Sequence, residues 1–89
     1  MTKPVLFFAQ TCPDTAPFVA ELQALNVEYQ AVEVLENLVN FKRFLKLRDN
    51  HPAFNNAKTN GYIGIPALVL ADDGVILDIS TLQTEFGKS

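Results

Sequence analysis

Apolar and polar positions along this chain fall into blocks whose period switches between that of a strand and that of a helix. Val5 to Ala9 is a continuous apolar run of strand length, as expected of a central strand covered on both faces. It stops at Gln10-Thr11. From Ala16 to Leu25 the apolar residues take helical spacing, with Phe18, Val19, Leu22 and Leu25 on one stripe. Pro13 predicts the first turn of that helix, where its missing N–H had no partner to lose. Thr11 is the predicted N-cap, and Asp14, three residues on, completes a capping-box-like pattern. Pro17 has no N–H to offer Pro13, which predicts a loose or kinked first turn. Asn26 ends the helix. Tyr29 to Val34 reads as a second strand, with Glu28, Gln30 and Glu33 marking a partly solvated edge. A strand, a helix and a strand in so short a span form a βαβ unit with parallel strands.

Glu36 to about Arg48 reads as the second helix, with Leu38, Phe41, Phe44 and Leu45 facing inward. Pro52 begins a short helix that His51 caps and that Gly61 closes after Asn60. Tyr62-Ile63-Gly64-Ile65 leads through Pro66 into another apolar strand, Ala67 to Ala71. Asp72-Asp73-Gly74 is a hairpin turn signal, and Val75 to Leu77 is the returning strand. Asp78 or Ser80 caps a last helix that runs to Phe86, with Gly87 at its end. The order predicts an α/β fold over residues 1–89 as a single domain: a four-stranded mixed β-sheet flanked by helices on both faces.

Composition excludes several classes. With 48% apolar and 19% charged residues the chain is neither disordered nor a membrane protein. A net charge of −3 supplies no long-range attraction for nucleic acid or an anionic membrane, so neither is an expected partner. No apolar run approaches the roughly 20 residues of a transmembrane helix. Met1-Thr2-Lys3-Pro4 shows no signal-peptide pattern, and a cytoplasmic monomer is expected. The single cysteine forbids an internal disulfide and any zinc or iron site built from several cysteines of one chain. Lys42, Arg43, Lys46 and Arg48, four of the seven basic residues, either complement the dipole of the second helix or anchor a carboxylate-bearing ligand.

Cys12 stands where the first strand ends and the first helix begins. Unpaired N–H groups and the positive dipole end of a helix favour a thiolate, and that marks Cys12 as a nucleophile rather than a small buried hydrophobe. Asp14 opposes the anion as a like charge, yet can assist proton transfer to a departing thiol. Thr15, one turn on, either donates its hydroxyl to the thiolate or bonds back into the helix. His51 is the only histidine; beside Asn50 and Pro52 it reads as a cap, with a cysteine–histidine pair as the other reading.

Phe7-Phe8-Ala9-Gln10-Thr11-Cys12-Pro13 and Gly64-Ile65-Pro66-Ala67-Leu68-Val69, in this element order, resemble the thioredoxin fold and, within it, the glutaredoxin family. The resemblance runs from Val5 to about Phe86. It implies that Cys12 attacks disulfides, that Pro66 is cis and packs beside the sulfur, and that Ile65 offers its N–H and C=O to an extended peptide such as glutathione. Cys12 and Thr15 are then the expected catalytic residues, with Thr11, Pro13, Ile65, Pro66 and Asp78 at the substrate. Several positions depart from the family pattern. Thr15 replaces the second cysteine, Ala9 stands where a lysine is frequent, and Ile76 to Ser80 lacks the glycine pair of the turn that holds glutathione. Cys12-Pro13-Asp14-Thr15 also differs from the Cys-Gly-Phe-Ser of single-cysteine relatives that carry iron–sulfur clusters. The expected activity is monothiol thiol–disulfide exchange on mixed disulfides with glutathione or another low-molecular-weight thiol. That thiol is a co-substrate, with no tightly bound cofactor and no metal. The alternatives are a non-catalytic binding module, and an iron–sulfur carrier in which two chains and two glutathiones supply the ligands.

Overall fold

In the computed structural model, which describes residues 3–87, every expected element forms around the strand β1 (Val5–Phe8). It pairs in parallel with β2 (Gln30–Glu33) and antiparallel with β3 (Ala67–Val69), which carries β4 (Val75–Ile76) antiparallel on its far edge. The strand order β2-β1-β3-β4 is the mixed four-stranded sheet that the sequence predicts. Alternation along β1 builds the two layers. Leu6 turns to one face and packs with Phe18 and Leu22 of α1 (Thr15–Ala24) and Leu82 of α4 (Ile79–Phe86). Phe7 turns to the other and meets Phe44 of α2 (Leu38–Asn50) and Phe54, which lies in a 3₁₀ turn (Pro52–Phe54) leading into α3 (Asn55–Asn60). Among the described residues, no helix is long and apolar enough to cross a membrane.

Two expectations are corrected. The first helix begins at Thr15, not at Pro13, because of Pro17. A helix containing Pro13 would need the N–H that Pro17 lacks; starting at Thr15 puts Pro17 in the first turn, where no donor is required. The helix ends as expected near Asn26. Asn26 takes φ 57°, while the N–H of Val27 bonds to Leu22 O and that of Asn26 to Gln23 O, a Schellman closure. The second correction concerns α2. Phe44 is buried, but Leu38 and Phe41 are exposed, at 63% and 37%. The helix reaches the core through Phe44 and Leu47, and Phe41 near its start lines the same groove as Cys12.

Candidate active site

Cys12 sits in the turn between β1 and α1. Its N–H donates to Ala9 O at 3.0 Å, and its carbonyl accepts the N–H of Thr15 at 3.1 Å. The helix therefore opens three residues past the thiol. Thr11 is not its cap; Asp14 holds that position in a helical conformation, and its side chain makes no capping bond. What faces the thiol instead is the loop before β3. The half-buried Cys12 Sγ lies 3.9 Å from Ile65 O, within reach of a weak S–H donation. The Ile65–Pro66 peptide bond is cis, and Pro66 is buried.

Thr15 is buried beneath the turn, and its hydroxyl donates to Ala9 O at 2.8 Å. That bond is neither of the two expected ones: the proton goes neither to the thiolate nor back into the helix. Ala9 O thus takes both the Cys12 N–H and the Thr15 O–H, which fixes the end of β1 relative to the start of α1. Thr15→Val removes the donor at nearly constant volume. We expect a loss of about 1–2 kcal/mol in chemical denaturation, the cost of a buried group left short of a partner.

Two long-range ties shape the surroundings of the sulfur. Arg48 Nε donates to Ile63 O at 2.8 Å and its Nη2 to Tyr62 O at 2.5 Å, so the end of α2 holds the loop by its main chain. The Glu33 carboxylate accepts the N–H of Gln10 at 2.7 Å and that of Leu35 at 2.8 Å, joining the turns after β1 and β2. Glu33 read only as a solvated edge residue and Arg48 only as one of a basic cluster, because both act on backbone far along the chain. The basic cluster of α2 is accounted for elsewhere: Arg48 is engaged by the loop, Arg43 lies over the Phe7 ring at 5.5 Å, and none of the four cations lines the cavity at Cys12.

That cavity is a groove of about 400 Å³. Thr11, Cys12 and Pro13 line it from the turn, Leu35 and Phe41 from the β2–α2 region, and Ile63 to Ile65 from the loop. Leu35 and Ile63 are 63% and 60% exposed. A second cavity of about 260 Å³ shares Asp14 and Ile65 with the first and contains Pro66 and Asp78. Thr11, Cys12, Pro13 and Ile65 thus meet in one groove, Pro66 and Asp78 in its neighbour, and Thr15 lines neither.

Asp78 caps α4: its Oδ1 accepts the Thr81 N–H at 2.7 Å and the Ser80 hydroxyl at 2.8 Å. The Thr81 bonds, then that of Ser80, hold its carboxyl below the usual carboxylate value. A carboxylate depressed in the folded state stabilises fully above its unfolded pKa and loses that contribution as pH falls through the folded one. Asp78→Asn keeps a capping side chain. We expect it to match the parent within about 0.5 kcal/mol at neutral pH and to be less acid-sensitive below about pH 4, read from urea midpoints across that range. His51 is a cap, as expected. Its Nδ1 accepts the Ala53 N–H at 3.0 Å, which leaves Nε2–H to donate to Asp73 O at 2.7 Å. It does not line the groove at Cys12.

Cys12 is the only sulfur ligand here, and no group of three or more His, Cys, Asp or Glu side chains converges among the described residues. An iron–sulfur cluster would hold this chain by Cys12 alone and take its other ligands from outside.

A mixed sheet in the order β2-β1-β3-β4, with a thiol just after β1 beside a cis-proline loop just before β3, is a thioredoxin-like α/β fold of the kind found in glutaredoxins. The glutaredoxin of Methanosarcina mazei Go1 superposes on 98% of this chain and 80% of its own, with a TM-score of 0.69 and 18% identity. That of Archaeoglobus fulgidus covers 100% and 89%, at 0.65 and 18%. A glutathione transferase homologue from Sulfitobacter, solved with bound glutathione, covers 98% of this chain and 36% of its own, at 0.54 and 21%. At these identities the likeness is one of fold. No family model matches the sequence. The chain belongs to the same family as a Haemophilus influenzae protein described as uncharacterized, to which it is 56% identical over 86 residues, 97% of this chain and 100% of that one.

Proposed function

We propose that this protein is a thiol–disulfide oxidoreductase that works through Cys12 alone, as a cytoplasmic monomer. The observation that carries the reading is the half-buried sulfur at the mouth of a groove, 3.9 Å from the main chain of Ile65. Among the described residues, the Ile65 N–H takes no hydrogen bond, so an extended segment has a main-chain donor to add to. Cys12 as thiolate attacks the small-thiol sulfur of a mixed disulfide between a protein and glutathione or another low-molecular-weight thiol. A new S–S bond forms, the old one breaks, and the protein sulfur departs with the electron pair as a thiolate. A second small thiol, as its thiolate, attacks the adduct, leaves as the oxidised small disulfide and restores the Cys12 thiolate. Exchange of this kind needs one enzyme sulfur when the resolving thiol comes from solution. Thr15 serves by positioning the turn through Ala9 O.

The test is intact-mass measurement after treatment with oxidised glutathione and with bis(2-hydroxyethyl) disulfide, followed by turnover with excess reduced thiol. One adduct on Cys12 and steady turnover are expected; absence of either overturns the reading. An adduct without turnover favours the second reading, a non-catalytic peptide-binding module, which the exposed apolar side chains beside Cys12 support.

A further inference from the structure

Among the described residues, six large apolar side chains stand exposed: Leu35, Leu38, Val39, Phe41, Tyr62 and Ile63. Four of them cluster: Leu35 and Phe41 line the groove at Cys12, Leu38 joins them in an adjoining hollow, and Ile63 lines the groove from the loop that Arg48 holds. The charge around the sulfur is equally one-sided. Asp14 is the single charged residue lining the groove, Asp14 and Asp78 line the neighbouring cavity, and Glu33 and Glu36 line the hollow beside Thr11. Among the described residues, no lysine, arginine or histidine lines any of the three. The nearest cation tied to the loop, Arg48, has Nε and Nη2 engaged by the carbonyls of Tyr62 and Ile63. A ligand carrying two carboxylates, as glutathione does, meets carboxylates here and, among the described residues, no compensating cation. An extended peptide with apolar side chains next to its cysteine, and neutral or cationic ends, meets apolar walls, carboxylates and the unbonded Ile65 N–H.

Building on the proposed exchange chemistry, we infer that the groove selects the protein half of the disulfide: an extended segment with apolar residues flanking the cysteine and without acidic ones. The small thiol then needs no binding pocket of its own. It is the half whose sulfur Cys12 takes, while the groove holds the segment that leaves as thiolate. The apolar walls supply affinity and the carboxylates supply discrimination.

Two pentapeptides, each blocked at both ends and carrying 2-mercaptoethanol in mixed disulfide with a central cysteine, test this. One has leucine and phenylalanine flanking the cysteine with lysines outside; the other has serines flanking it with glutamates outside. The rate of Cys12 reaction with each is divided by its rate with N-acetylcysteine amide, which removes differences in intrinsic reactivity. The first is expected to react at least tenfold faster after that correction. The double variant Leu35→Ser/Ile63→Ser changes two exposed side chains that line the groove and is expected to cut the ratio to threefold or less. Equal corrected rates, or a faster acidic peptide, overturn the inference while leaving the exchange reading intact. An unchanged ratio in the double variant overturns the role of the apolar walls. Failure of Cys12 to react with either peptide overturns both.

Discussion

Cys12→Ser is expected to reduce disulfide exchange to the background rate and to abolish the mass adduct, with the fold intact. Cys12 is the only thiol in the sequence, and no other residue lining the groove can form a disulfide. A hydroxyl in its place cannot enter the exchange at all, so the loss should be complete rather than partial. Stability should hardly change. The sulfur is half-buried, its one long contact to Ile65 O is weak, and serine is nearly isosteric. A difference within about 0.5 kcal/mol is expected in urea denaturation. Turnover surviving in this variant would dismiss the proposed chemistry at once.

Gly64→Ala is expected to cost about 2–5 kcal/mol, far more than alanine at another positive-φ glycine. Gly64 has φ +93°, where a side chain is strained by about 1–2 kcal/mol. A Cβ there would also stand 2.8 Å and 3.0 Å from the Phe54 ring, an overpacking worth about 1–3 kcal/mol more. Phe54 has no room to withdraw: it is fully buried, edge-on to Phe44 at 5.8 Å and to His51 at 6.3 Å. The loop must move instead, and with it Ile65, so exchange should slow although Cys12 is untouched. Gly61→Ala is the control. Its φ is +74° but a Cβ would meet nothing within 4 Å, and about 1 kcal/mol is expected. Equal losses in the two variants, measured by urea denaturation, would show that the Phe54 contact is not what fixes the loop.

How far the sequence disclosed this molecule depended on how local each cause was. The sheet was legible because alternation and apolar runs act within a few residues. So were the closure at Asn26, the cap at His51 and the helix stop at Gly61. The start of α1 was misplaced because two prolines compete: Pro13 invites a helix that Pro17 cannot support. Leu38 and Phe41 were misread because helical spacing reports an apolar face without saying whether core or open groove lies against it. The actual roles of Glu33 and Arg48 carried no signal, since each binds the backbone of a segment distant in sequence. Thr15 could be placed near the sulfur, but its actual acceptor, Ala9 O, became available only through the late start of the helix.

Arg48 grips Tyr62 and Ile63 by their carbonyl oxygens, which every amino acid possesses. The side chains at these two positions are therefore free of any structural duty in that tie. A substitution at Ile63, which lines the groove, can redraw the chemistry of the wall without loosening its frame.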